Sequence, residues 1–392
     1  MAVFRGMFGF CLAVLLVSFG VFGCAEDQEQ DNAEIEDADD ESGDILPADV
    51  SLLIAGDGGV LFAEAGERRW ATTPETVFHD VAITSTPDEF LTVGFDEQRN
   101  RGVVFRVDVA DGVAEPVDLS VDCEGITFLD AVSSGEETWI VGADHQNGCG
   151  VVLFSDGESW ARVDIEPPAA SESWWLTAVS FFGPDMFVAG FDETNWRDVY
   201  YIRPAGGTLE RLDIVGSPER TVYPRRFFPI ENQDAFWLVG SYLDMPFDPM
   251  MYWAEKTQDW HLASSCIIPS HRVFWGGEVD GKIVFVGSRG IGDKKRTFAF
   301  SDRSLPFGEQ PMIIEWDPTR VRTDGLGEEY HWFDLDVPLP DGRIVLRVYE
   351  TAEATYYLYW DNQGWLKLYC EQTKAVYRLT DAFCEVVRVK FL

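Results

Sequence analysis

Residues 139–160 read WIVGADHQNGCGVVLFSDGESW, and this stretch decides the fold. Two apolar runs of strand length, WIVGA and GVVLF, are separated by a polar turn, and a second turn leads to Trp160. Short runs rich in Val, Ile and aromatic residues, bounded by Gly, Asp and Asn, read as β-strands joined by tight turns. The first run ends in an aliphatic residue, then Gly142, with Asp144 two positions on, and that ending recurs along the chain. It appears at Leu53-Ile54-Ala55-Gly56-Asp57, Leu91-Thr92-Val93-Gly94-Phe95-Asp96, Phe187-Val188-Ala189-Gly190-Phe191-Asp192, Trp237-Leu238-Val239-Gly240 and Val284-Phe285-Val286-Gly287. Ile344-Val345-Leu346-Arg347-Val348 reads as a seventh copy without its glycine.

The glycines fall 38, 48, 48, 50 and 47 residues apart, and Asp96, Asp144 and Asp192 are each 48 apart. Each copy is preceded by another apolar strand (His79–Ile83, Leu129–Val132, Leu176–Val179) and followed by a third, such as Gly102–Phe105 or Tyr356–Tyr359. A fourth strand carries Trp70, Trp160, Trp260 or Trp365. A repeat near fifty residues built only of strands predicts an all-β chain folded as a single β-propeller of seven four-stranded blades. The stretch 301–329 is irregular and leaves six or eight blades open. The first copy lacks its innermost strand. Leu379-Thr380-Asp381-Ala382-Phe383 resembles Phe128–Val132, and a further strand, 386–392, follows it. The C-terminal strand is therefore expected to complete the first blade and close the ring, protecting sheet edges that would otherwise be open.

Phrases such as IAGDGGVLF and WIVGAD resemble the propeller repeats of the BNR and photosystem II assembly-factor type, loosely and over residues 50–390. Such repeats serve in binding proteins, assembly factors and glycosidases, so the resemblance implies the fold and leaves the function open.

The N-terminus places the molecule. Residues 7–22 form an apolar run of sixteen behind Arg5, short for a membrane span but suited to the core of a secretory signal. Val21-Phe22-Gly23-Cys24 resembles the bacterial lipobox. That resemblance implies cleavage before Cys24, acylation of Cys24 with palmitate-type chains, and a lipoprotein anchored in the cell envelope; Ala25 rather than Asp after the cysteine, by resemblance to enterobacterial sorting, implies the outer membrane. Residues 25–44 carry eleven acids and one large aliphatic side chain, Ile35. They read as a disordered, self-repelling spacer. The expected organisation is a signal peptide over 1–23, an acidic tether over 24–48 and the propeller over 49–392.

The net charge is −38; with −11 on the spacer and +1 on Arg5, the body carries −28. Such a body argues against nucleic-acid phosphates and anionic lipid surfaces as partners, since both require basic surface. The remaining expectation is a membrane-tethered monomer that binds a protein, peptide or glycan through its loop face and is not an enzyme. The alternatives are a propeller-type glycoside hydrolase and an envelope assembly or structural factor.

Chemistry-bearing motifs are sparse. The histidines show no ligand spacing, no Gly-X-Ser-X-Gly elbow occurs, and Ser155–Trp160 lacks the spacing of a sialidase Asp-box. One set stands out. Asp80, Asp130, Asp334 and Asp381 occupy matching places in innermost strands, with Thr177 at another. They form either an acidic ring for a cation such as Ca2+ or a basic peptide, or a series of bonds to neighbouring backbone amides. Asp96, Asp144 and Asp192 belong to the loop face, where a ligand would bind. An exported setting permits disulfides. Cys123 and Cys149, expected near one face of the same blade, are the first candidate pair, and Cys370 with Cys384 the next.

Overall fold

The computed structural model describes residues 46–212, apart from short gaps, and beyond them chiefly the strands between 222 and 391. Side chains are described over most of 46–212 and 354–380 and at a few positions between. The signal and all of the tether but residues 46–47, with Cys24, Asp334, Asp381 and Cys384, lie outside the described residues. Leu46, assigned above to the tether, is buried with Val50 and Leu52, so the packed body begins ahead of residue 49.

The described elements are strands, and every named strand pairing is antiparallel. Five sheets have four strands in sequence order. One holds Ile126–Ser134, Glu137–Asp144, Cys149–Ser155 and Trp160–Arg162; the next holds Trp174–Phe182, Asp185–Asp192, Arg197–Arg203 and Glu210–Leu212. The others begin at Val222–Pro229, His271–Val279 and Gly342–Glu350. A sixth sheet has six strands, ordered Val386–Phe391, Ser51–Glu64, Glu67–Ile83, Glu89–Asp96, Arg101–Asp108 and Val113–Pro116.

Both faces of the sheet at 126–162 are covered by neighbours, which is why its second strand is apolar at most positions rather than at alternate ones. Ile140 packs with Val93, Val104 and Phe128 on one side. The adjacent Val141 packs with Leu176, Val188 and Tyr201 on the other. The outer strand Trp160–Arg162 is part-buried only at its tryptophan. Successive first strands lie against one another and form the hub. The chain is a β-propeller: repeated antiparallel sheets stacked face to face around their first strands.

The periodic glycine has a structural cause. In each sheet the first strand carries a register shift, between Phe78 and Asp80, Phe128 and Asp130, and Leu176 and Ala178. The residue opposite the start of the shift is Gly94, Gly142 or Gly190. The same shift faces Gly240 and Gly287. A bulge kinks the first strand and pushes its backbone toward the partner. A Cβ on Gly142 would stand 2.1 Å from the Thr127 carbonyl oxygen, and one on Gly94 2.0 Å from that of Val77. Only glycine fits there.

Two strand assignments change. Ile344–Val348 was read as a second strand; it lies in Gly342–Glu350, the first strand of its sheet. The second strand is Thr355–Asp361, where Tyr359 faces the shift between Val345 and Arg347. With a tyrosine at the glycine position, the repeat loses the mark that identified it elsewhere. Leu379–Phe383 was read as an innermost strand. Instead Val376–Thr380 is the outer strand of that sheet, and Val386–Phe391 pairs with residues 52–56. Across Asp57-Gly58 the burial phase of Ser51–Glu64 changes. Leu52 and Ile54 share a cluster with Leu61 and Ala63, whereas Leu53 and Ala55 share another with Val60 and Phe62.

Candidate functional site

Three second strands end in an aspartate that pairs with the first strand ahead of its register shift: Asp96 with Thr76, Asp144 with Ile126, Asp192 with Trp174. The turns that follow, 97–100, 145–148 and 193–196, therefore share one end of the sheets with the connections between sheets. This is the loop face. Each turn is tied to the incoming connection by the same backbone bond, from Glu97 N to Glu75 O, His145 N to Gly125 O and Glu193 N to Ser173 O, all 2.9 Å.

The three aspartates build these turns. Asp96 Oδ1 accepts from Arg99 N at 2.9 Å. Asp144 accepts from Asn147 N and Nδ2 at 3.0 and 2.9 Å and from Arg162 Nη2 at 3.2 Å. Asp192 accepts from Ser171 Oγ at 2.7 Å, Asn195 Nδ2 at 2.9 Å and Arg197 Nε at 3.0 Å. Burial opposes ionisation of Asp144 and Asp192. The bonds from Asn147 and Arg162, and from Asn195, Ser171 and Arg197, outweigh it and hold both carboxyls below their ordinary range. In both, a guanidinium supplies the positive charge that a bound cation would supply.

The described members of the innermost set join neighbouring sheets. Asp80 Oδ2 accepts from Ala131 N at 2.9 Å, and Asp130 Oδ2 from Val179 N at 2.8 Å. Thr177 Oγ1 donates to Pro224 O at 2.6 Å. Asp80 is fully buried and Asp130 nearly so. These are the backbone-amide bonds of the second reading above, repeated from one sheet to the next. Among the described residues, no group of three or more His, Cys, Asp or Glu side chains is placed to hold a metal ion.

The Cys123–Cys149 pairing is corrected. Both are free thiols, as is Cys370. Cys123 is buried in the core shared with the preceding sheet and donates to Val121 O, whereas Cys149 packs on the core shared with the following one and accepts from Arg162 Nη2. The two lie on opposite faces of one sheet, a separation that sequence spacing does not reveal. Burial raises the pKa of both thiols.

Aromatic side chains on the loop face escaped the sequence reading. The fourth residue after each aspartate has a left-handed backbone: Asn100 at φ 49°, Gly148 at 65° and Trp196 at 52°. Asparagine and glycine suit that conformation; tryptophan does not. Trp196 is 58 % exposed, the most exposed large hydrophobic side chain among the described residues. Its ring lies 6.5 Å from that of Phe191, which pairs across the strands with Trp175. The Trp175 ring lies 6.1 Å from that of His145, itself bonded through Nε2 to Thr127 Oγ1. His145 and Trp175 thus bring rings of two sheets together, while Phe191 is buried and Trp196 is left more than half exposed. The signal in sequence was a tryptophan where the repeat has Asn or Gly.

The turn bearing Trp196 is held firmly. Thr194 Oγ1 accepts from both Glu172 N and Ser173 N at 2.8 Å, Ser173 Oγ donates to Glu193 Oε2 at 2.8 Å, and Arg197 Nη2 reaches Ala169 O at 2.9 Å. Burial raises the Glu193 pKa against the Ser173 bond.

No protein-family model and no curated protein sequence matches the chain. Solved structures similar to it include YCF48 bound to D1 peptide, at 15 % identity and a TM-score of 0.48 over 78 % of this chain and 82 % of that one. The Dos1 propeller is 10 % identical with a TM-score of 0.49 over 85 % of each chain. The dihydro-heme d1 dehydrogenase NirN in complex with DHE is 13 % identical, with a TM-score of 0.49 over 88 % of this chain and 76 % of that one. Likenesses this distant bring no ligand or activity to this chain.

Proposed function

We propose that the protein is an exported lipoprotein, anchored in the outer membrane through Cys24, whose propeller acts as a non-catalytic binding module for a protein, peptide or glycan on its loop face. The propeller has seven blades: five four-stranded sheets, and a six-stranded sheet that counts as two. One of those two is completed by Val386–Phe391, which closes the ring. The anchor rests on the lipobox-like Val21–Cys24 and the acidic spacer behind it. Several acyl chains hold a protein on a bilayer where a single chain does so only marginally.

The observation that carries the binding role is Trp196, more than half exposed and kept in a backbone conformation disfavoured for its side chain, on a turn pinned by Thr194 and Arg197. Strain of this kind, of order 1–3 kcal/mol, persists where the surroundings over-determine it, and such positions cluster at binding sites. A rigid aromatic anchor loses little entropy on association. The test is a photo-crosslinking amino acid placed at position 196 or, as a control, at the exposed Val113. In intact cells a discrete adduct at 196 and none at 113 supports the reading. Equal or absent adducts at both positions contradict it. Separately, Cys24→Ser should release the protein from the membrane fraction.

A further inference from the structure

We infer that the loop face around Trp196 seats a positively charged, extended segment of a partner protein, with an arginine guanidinium over the Trp196 indole; this rests on the loop-face binding role proposed above. Two observations converge. The first is the indole of Trp196, more than half exposed on a braced turn and backed by the buried Phe191 ring, with the Trp175 and His145 rings on the same face. The second is charge. Among the described residues of this face, the exposed acids include Glu75, Glu97, Glu124 and Glu172. Of the cations, Arg162 and Arg197 are committed to Asp144 and Asp192, Arg99 leans on Asp96 at 3.7 Å, and the exposed Arg101 bonds the Cys123 thiol.

A body of charge −28 draws cations toward any face. The indole decides where one settles, because guanidinium stacks on an aromatic face and then forks to a carboxylate. Glu172 is suited to be that carboxylate. It is exposed, and its backbone N–H is fixed to Thr194 in the Trp196 turn. An extended segment suits the acids, which are spread from Glu75 and Glu97 through Glu124 to Glu172 over the loops of successive sheets. A neutral glycan would use the rings without the acids, and an anionic partner would be repelled.

The test uses the full-length protein in detergent and fluorescein-labelled ten-residue peptides of alternating Arg and Gly, Lys and Gly, or Glu and Gly, read by anisotropy. A neutral oligosaccharide is titrated in parallel by calorimetry. Trp196→Gly, which copies Gly148 of the neighbouring turn, removes the ring and relieves the backbone, so its fold is retained. The expected result is saturable binding of the arginine peptide, weaker binding of the lysine peptide and none of the glutamate peptide. Trp196→Gly should weaken the arginine peptide by about five- to thirtyfold, the range of a partly desolvated cation–π contact. Glu172→Gln should weaken it about twofold to fivefold and flatten its salt dependence. Arginine binding that ignores Trp196→Gly is unspecific attraction to an acidic body and overturns the inference. So does no arginine binding. Oligosaccharide binding lost in Trp196→Gly would overturn the inference while leaving the loop-face role standing. Binding by neither probe, with no crosslink at position 196, removes both.

Discussion

Asp130 Oδ2 accepts a hydrogen bond from the backbone N–H of Val179, 2.8 Å away in the first strand of the next sheet. The same relationship joins Asp80 to Ala131. Asp80 and Asp130, the described aspartates of the innermost set, are rivets between sheets. A first strand has no partner strand on its hub side, and the aspartate satisfies an amide left exposed there. Asp130→Ala would leave the Val179 N–H buried without that acceptor, and should cost about 1–3 kcal/mol. Asp130→Asn, which keeps an acceptor oxygen, should cost less. Urea unfolding followed by tryptophan fluorescence measures both, and equal losses for the two variants would contradict the assignment.

The glycine opposite each bulge is a steric requirement. Gly142→Ala places a Cβ 2.1 Å from the Thr127 carbonyl oxygen and 3.0 Å from Phe128 Cα. Both are backbone atoms that cannot rotate away, so a loss at or above the usual 1–3 kcal/mol of an overpacked core is expected. Gly183 offers the control: its φ is +56° but no atom lies within 4 Å of a built Cβ. Gly183→Ala should cost about 1 kcal/mol from strain alone. Thermal melting that ranks Gly183→Ala as the more damaging would refute the bulge account.

Stability should fall on mild acidification because of His79. This residue is the extra one in the first bulge, between Phe78 and Asp80, and desolvation of its part-buried ring depresses its pKa from 6.5 to about 4, against the raising effect of Asp80. Between those two values the unfolded chain binds a proton that the folded chain does not, so stability declines as pH drops from 6.5 toward 4. His79→Gln should flatten that part of the profile. Asp144 and Asp192 act lower on the scale: their carboxyls are held below the ordinary value of 3.8, so the stability they contribute is present above it and is lost as pH falls further. Asp192→Asn should reduce the steepness there and leave the His79 window unchanged. Melting temperatures from pH 7 to 3 for the three proteins separate the windows.

Much of the architecture was legible because one backbone feature, the bulge, faces a glycine at the same place in five of the sheets. Where the feature is met by Tyr359 instead, the reading slipped by one strand. The C-terminal reading slipped for a related reason. Leu379–Phe383 has the letters of an innermost strand, but register is a property of pairing, and Val376–Thr380 pairs with Leu366–Cys370. Asp96, Asp144 and Asp192 were found by their 48-residue period. That period marks a shared turn and carries no information about a ligand, since repeats preserve what folding needs. Trp196 departs from the repeat and was overlooked, because exposure and a left-handed φ are visible only in three dimensions. The two thiols, Cys123 and Cys149, fell on opposite faces of their sheet.

The first and last strands of the body lie side by side. Leu52 pairs with Phe391, Leu53 with Lys390 and Ile54 with Val389. Leu52 and Ile54 then enter a core shared with Tyr356, Leu358 and Leu368. If this pairing closes the ring, removing residues 386–392 exposes a central edge strand and the apolar faces on both sides of it. The direct measurement is differential scanning calorimetry of the truncated chain beside the intact one. The account predicts loss of the cooperative transition in the truncated protein. An unchanged melting temperature and unfolding enthalpy would contradict it.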